Sequence, residues 1–294
     1  MQLHFETAFY WTTGIHFTDN CGFGLTQNRL RQTLMTRRFL HSFIPCMLLL
    51  GLMVGNNAVA EEIRISTGEY PPWTSKQLSE GGYINMLVRK AFNEVGVSVT
   101  YDYMPWNRAL EATRVGQYPA SSFWGYDPAR DTDFSLSDRI HTDPILLAHR
   151  QDLDYPAWET LKDLNAFVFG ATRGYTYTAD FWQLIDSNVL RVSVSNSDLE
   201  NLEKLIDGHI DFFPISRTTG RYLLHKNFTE ARFDQIRFDS RPINSSLDFL
   251  LFSKAHPDAE LLREKFNQGL ARLKARGLPE KLLKSYMSAC CSFD

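Results

Sequence analysis

The stretch SSFWGYDPARDTDFSLSDRI (121–140) places a basic side chain in a loop that also carries aromatic residues. Arg130 follows Trp124 and Tyr126, and the loop is otherwise rich in Asp, Pro and Ser. A guanidinium group offers a planar, bidentate edge that matches a carboxylate. We therefore interpret this loop as one wall of a cleft in which Arg130 holds an anionic ligand. The alternative is a surface arginine paired with a neighbouring aspartate of the same loop.

Elsewhere the chain offers no catalytic or metal-binding motif. The eight histidines show no zinc-ligand spacing, and there is no GxSxG sequence. The net charge of −3 shows no excess of basic residues of the kind that nucleic-acid-binding proteins carry. The 44% of hydrophobic residues suffices for one large core or two smaller ones. We expect no cofactor and no nucleic-acid partner. Cys290 and Cys291 are adjacent, which leaves open a vicinal disulfide, a bridge to another chain or two inert thiols.

The N-terminal region has the pattern of a secretory signal. MTRRFL supplies a positive segment, an apolar core runs to Val54, and Ala-Val-Ala forms a cleavage site that ends at residue 60. The apolar run is shorter than the roughly 20 residues of a membrane span, and an uncleaved anchor is the alternative. We expect residues 1–34 to be an extension from a misplaced start codon and residues 35–60 to be a cleaved signal peptide. The mature chain is then periplasmic.

Strand and helix periodicities alternate beyond residue 60. IRIST, VSVTYDY and PASSFW have the β-branched, alternating pattern of strands, and they are separated by helical repeats in GYINMLVRKAFNEVG and PWNRALEATRVG. The same order recurs with AFVFGAT, YTADFWQLI, LRVSVS, DLENLEKLIDG and HIDFFPI. A strand-like SLDFLLFSK (246–254) and two helices close the chain. This order is typical of mostly parallel sheets covered by helices. Two similar α/β lobes are the favoured interpretation, and one larger sheet is the alternative.

These ordered elements resemble the bacterial extracellular solute-binding proteins of family 3, the periplasmic binding proteins of polar amino-acid ABC transporters. The resemblance rests on EYPPW, GYINMLVRKAFNEVGVSVTY, PWNRALEATRVG, DPARDTDFSLSD, LKDLNAFVFGATRGYTY, LEKLIDGHIDFF and NQGLARLKARGLPEKLLKSYM. It implies a type II periplasmic-binding-protein fold, in which two α/β lobes joined by two crossover strands close like a hinge over a ligand. The implied lobe 1 is 61–147 plus 243–294, and lobe 2 is 148–242.

The resemblance also assigns polar contacts to the ligand. Arg130 of the DPAR loop would clamp the ligand carboxylate. Gly174 and Thr176 would open a helix whose first N–H groups and hydroxyl meet the same carboxylate, since a helix start is a ready anion site. The alternative role for Thr176 is that of an ordinary helix N-cap.

Three aromatic residues complete the implied site. Tyr70 of EYPPW occupies a position that stacks on the ligand in this family, and Trp106 at the start of PWNRAL lies near the cleft edge. Trp124 is the third candidate. Stacking or cation–π contact would suit an amino acid or an amine, and packing alone is the alternative for each ring.

The chain departs from the family pattern where the ligand's ammonium group would bind. Ser216 stands five residues beyond Asp211 of GHIDFF, where a typical amino-acid binder has a carboxylate. Hydroxyl residues before the DPAR loop are largely replaced by Phe123, Trp124 and Gly125. We therefore expect a carboxylate or another small anionic solute to be as suitable as an amino acid, with Ser216 in the site. Glu69 or Asp180 are candidates for a substitute carboxylate.

The resemblance favours a monomeric, non-enzymatic binding protein that delivers its solute to an inner-membrane ABC permease. A periplasmic enzyme on the same fold, similar to the cyclohexadienyl dehydratases, is one alternative. That chemistry needs a positioned acid near the carboxylate-binding arginine, and no motif selects one. A ligand-sensing module read by a membrane sensor is the other alternative.

Overall fold

The computed structural model describes residues 61–291, apart from the side chains of residues 245 and 246. The expected upstream extension and signal peptide therefore lie outside the described residues. The strands are β1 (Glu61–Thr67), β2 (Val97–Tyr103), β3 (Ala120–Gly125), β4 (Phe134–Leu136), β5 (His141–Arg150), β6 (Val168–Thr172), β7 (Arg191–Ser195), β8 (Phe212–Ser216) and β9 (Ile236–Ser253).

Helices connect most of these strands. The α-helices are α1 (Tyr83–Asn93), α2 (Trp106–Arg114), α3 (Ala179–Asp186), α4 (Asp198–Ile206), α5 (Arg217–Asn227), α6 (Glu230–Phe233), α7 (Ala259–Ala275) and α8 (Leu278–Cys290). Short 3₁₀ helices occupy Ser79–Gly81, Pro128–Arg130 and Leu161–Leu164. No helix within 61–291 combines the length and apolar character needed to cross a bilayer.

The strands hydrogen-bond in the order β2-β1-β3-β9-β5-β8-β6-β7, and β4 pairs with β9. β1 lies parallel to β2 and β3, and β6 lies parallel to β7 and β8. The long strands β5 and β9 are antiparallel to each other and to β8 and β3, respectively. The parallel β-α-β order predicted from periodicity is therefore present on both sides of the β5–β9 pair. The hydrogen-bonded path itself is continuous.

Separate apolar clusters cover the two groups of parallel strands. One combines residues of β1, β2 and β3 with α1, α7 and the last part of β9, and its fully buried members include Leu87, Phe92, Phe266 and Leu270. Two further clusters lie between residues 147 and 236 and combine β5, β6 and β8 with α3, α4 and α5. The apolar faces predicted for α1 and α7 are thus confirmed as core.

Two elements were not apparent in the sequence. The first half of β5 reads HTDP, which lacks alternating apolar residues and contains a proline, a residue that strands usually exclude. α5 begins RTTG, which has low helix propensity, and it is supported by the Ser216 side chain at its N-cap. β9 also begins ten residues before the predicted 246–254 segment. At the end of α8, Cys290 and Cys291 form the vicinal disulfide.

The crossing of α1 and α7 gives a test of the core. A Cβ atom at Gly269 would collide with the carbonyl oxygen of Ala91. Alanine normally stabilises a helix interior by about 1 kcal/mol over glycine, but here the collision reverses the sign. We expect Gly269→Ala to lower the free energy of unfolding in urea by about 1–3 kcal/mol.

The control for this variant is an exposed position on the same helix. Ala271→Gly should lose about 1 kcal/mol through propensity alone. If Gly269→Ala unfolds at the same urea concentration as the unmodified protein, or at a higher one, α1 and α7 do not approach as closely as described.

Candidate functional site

A small cavity of about 90 Å³ lies between the β1 and β3 strand ends on one side and the β6–α3 connection on the other. Aromatic residues are nearly half of those that line it: Tyr70, Trp106, Phe123, Trp124, Tyr126, Tyr175 and Tyr177. Two of them, Trp106 and Tyr175, also line a larger cleft of about 980 Å³. We take the small cavity as the candidate site because it collects most of the residues predicted from sequence.

The aromatic wall is joined by edge-on ring contacts. Tyr70 meets Tyr175 at 5.5 Å between ring centroids, and Trp106 meets Trp124 at 5.1 Å, both close to perpendicular. This T-shaped geometry is the favoured arrangement for aromatic pairs. The Trp106 indole N–H donates to the carbonyl of Glu69, and the Trp124 N–H donates to the hydroxyl of Ser121. The indole rings of Trp106 and Trp124 are therefore fixed both by ring contacts and by hydrogen bonds from their N–H groups.

An irregular β3 strand brings consecutive side chains to the same cavity. The register against β9 shifts between Ser121 and Trp124, and Phe123 has a φ of 67°. In a regular strand, Phe123 and Trp124 would point to opposite faces. The bulge places both on the cavity wall. Backbone held in the left-handed region by a non-glycine residue is concentrated at functional sites, and Tyr177 (φ 46°) on the opposite wall shows it too.

Arg130 lies beside the cavity and reaches Thr176, one of the residues that line it. Its guanidinium donates to the Thr176 hydroxyl at 2.9 Å and to the Gly125 carbonyl at 3.3 Å, and it stacks over the Trp124 ring at 4.8 Å. The side chain is only 12% exposed, and its nearest carboxylate oxygen, on Asp127, is 3.7 Å away. Arg130 thus forms the ion pair with Asp127 that the alternative interpretation expects, while most of its side chain is buried against Trp124 and Thr176.

The helix start was predicted two residues too early. α3 begins at Ala179, and Thr178 is its N-cap, accepting a hydrogen bond from the Phe181 N–H. Thr176 is therefore not an N-cap, and the expectation that it opens the helix is wrong. Gly174 lines the cavity at a φ of 85°, a conformation that favours glycine, and a Cβ there would crowd the Asn107 side chain.

Two buried carboxylates occupy the floor of the cavity. Asp143 on β5 and Asp248 on β9 both line it, and each is 4% exposed. Asp248 lies directly opposite His141 in the backbone register of β5 and β9, and Asp143 lies two residues further along β5. The two acids therefore share one face of the sheet as diagonal neighbours, a separation of about 7–8 Å between α-carbons.

Asp143 is held by one hydrogen bond. The Ser216 hydroxyl donates to its Oδ1 at 2.8 Å, whereas Oδ2 has no hydrogen-bond partner of normal geometry among the described residues. Burial raises the pKa of Asp143 to about 7, opposed by the polar contacts of Ser216 and of the nearby Trp73 indole. Burial together with the charges of Asp143 and Asp198 also raises the pKa of Tyr70, which remains a neutral phenol.

The structure thus groups Tyr70, Trp106, Trp124, Gly174 and Thr176 on one cavity, with Arg130 beside it. Ser216 is fully buried behind Asp143 and does not line the cavity.

The two candidate substitutes for the missing carboxylate lie elsewhere. Glu69 lines the larger cleft, and Asp180 is exposed on α3. Sequence reasoning missed Asp143 and Asp248. The available signal was an acidic residue in each of two segments that turn strongly apolar a few residues later. No group of metal-ligating side chains occurs within 61–291.

Comparison with known proteins gives a family match and a set of structural likenesses. The sequence model described as bacterial extracellular solute-binding proteins, family 3, matches residues 63–289. No curated protein matches the sequence. One similar solved structure is a histidine kinase sensor domain with similarity to periplasmic binding proteins (TM-score 0.66, 18% identity, 78% of this chain and 97% of that chain).

Two further likenesses are to amino-acid complexes. They are the ABC transporter substrate-binding protein AbpA from Streptococcus pneumoniae bound to L-arginine (TM-score 0.65, 16% identity, 79% of this chain and 97% of that chain) and the GluR0 ligand-binding core from Nostoc punctiforme with L-glutamate (TM-score 0.63, 15% identity, 76% and 98%). At these identities the likeness establishes an α/β periplasmic-binding-protein fold and nothing finer.

The buried Asp143 carboxyl predicts a pH dependence of stability. Its pKa in the folded protein, about 7, lies above its ordinary value of 3.8, so the folded state binds the proton more tightly than the unfolded chain. The stabilisation of the folded state that comes from this tighter proton binding is fully present below pH 3.8 and is lost as the pH rises through about 7. We expect Asp143→Asn to have a higher urea midpoint than the unmodified protein at pH 8, with the two midpoints converging near pH 4.

Asp239 on β9 is the matched control. Burial favours its neutral form, but hydrogen bonds from the Arg241 backbone and the Trp158 indole outweigh this and lower its pKa. Asp239→Asn should therefore destabilise the protein at pH 8. If Asp143→Asn had a lower urea midpoint than the unmodified protein at pH 8, this would contradict a buried, ionisable Asp143 carboxyl group that has few hydrogen bonds.

Proposed function

The chain belongs to the bacterial extracellular solute-binding proteins, family 3, and on this basis we propose that it captures a small polar solute in the aromatic cavity and delivers it to an inner-membrane ABC permease. The observation that carries the proposal is the cavity itself. Its walls come from segments far apart in the chain, and they combine stacking surfaces with a few polar groups, as ligand sites do. The periplasm is the proposed location.

Two lobes that close over the solute account for this arrangement. We assign residues 61–147 and 243–294 to one lobe and residues 148–242 to the other, with β5 and β9 as the crossover strands. The separate apolar clusters on either side of those strands support the division. The bond from Arg130 to Thr176 and the contact of Tyr70 with Tyr175 join the two lobes. A solute that touches both walls would stabilise the closed state.

Within this proposal, Arg130 is the group that meets an acceptor oxygen of the solute. Its guanidinium is held in place by stacking on Trp124 and reaches the cavity wall at Thr176. A solute carboxylate could take the place of the Thr176 hydroxyl as acceptor, since guanidinium and carboxylate groups match in geometry.

A thermal-shift screen of the purified protein, refolded once to remove carried-over ligand, tests the capture of a solute. The panel contains common amino acids, polyamines, dicarboxylates and aromatic acids. A ligand at one hundred times its dissociation constant adds about 2.7 kcal/mol of stability, which is a visible shift. We expect one chemical class to respond. If no class shifts the unfolding temperature, solute capture in this cavity is contradicted.

The responding solute then tests Arg130 by calorimetry. Arg130→Ala should weaken binding by about 2–5 kcal/mol, the typical effect of removing a buried charged partner. Arg276→Ala is the control, because Arg276 pairs with Glu94 at the surface and should leave affinity unchanged. Equal affinities for the unmodified protein and Arg130→Ala would show that Arg130 does not bind the solute.

An enzyme on this fold is the second candidate, and one observation favours it. A buried carboxyl group with a pKa near 7 on a cavity wall, as at Asp143, is suited to general acid or base catalysis. Chromatography of the responding solute after prolonged incubation separates the two functions. Recovery of the solute unchanged supports a binding protein, and conversion that is lost in Asp143→Asn supports an enzyme.

A further inference from the structure

Tyr175 lies between two spaces that otherwise have different linings. It lines both the aromatic cavity of about 90 Å³ and the larger cleft of about 980 Å³, and among the described residues only Trp106 does the same. The two rings meet edge-on, with 6.5 Å between their centroids. Because no other described side chain is shared, Trp106 and Tyr175 form the wall that separates the cavity from the cleft.

The Trp106 half of this wall is fixed by the backbone next to it. The indole ring packs so closely on Gly68 that a Cβ atom there would collide with the ring. The indole N–H donates to the Glu69 carbonyl at 3.2 Å, and the ring also meets Trp124 edge-on. Trp106 therefore cannot turn without displacing its neighbours, which leaves Tyr175 as the half of the wall that decides whether the two spaces connect.

Tyr175 is held by a buried carboxylate. Its hydroxyl donates to Asp198 Oδ2 at 2.9 Å, and Asp198 Oδ1 accepts a second hydrogen bond from the Thr172 hydroxyl at 2.5 Å. Asp198 is 5% exposed, and burial raises its pKa to about 6, opposed by these two hydrogen bonds. The carboxyl group is therefore ionised at pH 8, and hydrogen bonds to a charged acceptor are the stronger kind.

The position of Asp198 fixes the orientation of the tyrosine ring. Asp198 lines the cleft and not the cavity, so the Tyr175 hydroxyl is bound on the cleft side. The ring itself meets Tyr70 edge-on at 5.5 Å and lies 5.9 Å from Tyr177, both of which line the cavity. With its hydroxyl bound on one side and its ring packed on the other, Tyr175 closes the cavity toward the cleft.

The space behind this wall is small. An engineered apolar cavity of about 150 Å³ holds one benzene molecule. By that measure, the aromatic cavity of about 90 Å³ has room for about four carbon-sized atoms. A solute with a long side chain would have to pass between Trp106 and Tyr175 into the cleft.

We propose that Tyr175 is a specificity-determining residue, which closes the aromatic cavity toward the larger cleft and limits the solute to a compact molecule without an extended side chain. Asp198 is a positioning residue, because it holds the Tyr175 hydroxyl and does not itself line the cavity. This inference rests on the proposed solute-binding function and narrows its ligand class by size.

Calorimetric titration at pH 8 with two straight-chain series tests the size limit: acetate, propanoate, butanoate and hexanoate, and glycine, alanine, 2-aminobutanoate and 2-aminohexanoate. In an open apolar site each added methylene group would strengthen binding, because it removes apolar surface from water. We expect the opposite here. In at least one series, the six-carbon member should bind about tenfold or more weakly than the tightest shorter member, a difference of about 1.4 kcal/mol.

Four variants assign the size limit to the two residues. Tyr175→Ala removes the wall, so the six-carbon member should bind at least as tightly as the four-carbon member. Tyr175→Phe and Asp198→Ala each remove the hydrogen bond and keep a ring at position 175, so each should reduce the loss of affinity at six carbons. Asp198→Asn keeps a polar partner for the Tyr175 hydroxyl and should retain the size limit.

Tyr155→Phe is the matched control. It also removes a hydrogen bond from a tyrosine to an aspartate, that from Tyr155 to Asp239, and Tyr155 lines neither the cavity nor the cleft. Its chain-length preference should equal that of the unmodified protein. Thermal unfolding, measured in parallel, shows which variants are folded. If Tyr175→Ala does not fold, Tyr175→Phe and Asp198→Ala decide the test.

The outcomes separate this inference from the function on which it rests. Affinity that rises through the six-carbon member in the unmodified protein overturns the size limit and leaves solute capture intact. A chain-length preference that is the same in every folded Tyr175 and Asp198 variant also overturns the inference, as does binding of neither series. A response to a longer solute in the broad screen would then still support capture of a solute, whereas a silent screen would contradict both.

Discussion

The antiparallel pairing of β5 with β9 is the constraint on which the other features of this chain depend. Both groups of parallel strands attach to this pair, β3 to β9 on one side and β8 to β5 on the other. Because residues two apart in a strand share a face, the same register that joins the two groups also places Asp143 and Asp248 side by side. The scaffold and the charge of the site are therefore set by one set of backbone hydrogen bonds.

The walls of the cavity depend on local departures from regular structure. Phe123 and Tyr177 hold left-handed backbone, and the bulge in β3 turns two consecutive aromatic residues to the same side. Such conformations cost free energy and persist because the surroundings impose them. The buried Asp143 carboxyl adds a cost that increases with pH. Backbone strain and a buried charge at one cavity lower the stability of the fold, which is a common property of sites that bind ligands.

Sequence periodicity predicted the elements that pack an apolar face. The helices α1 and α7 and the parallel strands follow from residues whose spacing repeats, whereas the family resemblance rests on the order of the quoted segments. The site was harder to predict because its geometry depends on pairing between distant strands. Nothing near Asp143 in the sequence shows that it will lie beside Asp248, more than one hundred residues away. The error at Thr176 has a local cause, since Thr178 offers the same capping chemistry two residues later.

Ser216 shows how a substitution can be understood only with its spatial neighbour. Read along the sequence, a serine where related amino-acid binders have a carboxylate indicates a lost ammonium site. In the structure, Ser216 at the end of β8 pairs with Ile145 on β5, and its hydroxyl reaches Asp143, two residues before Ile145 on the same face. A carboxylate is thus present next to the position where the sequence lacks one, supplied by the adjacent strand. Ser216 thus has two contacts that the sequence does not reveal, because its hydroxyl caps α5 and also donates to Oδ1 of Asp143.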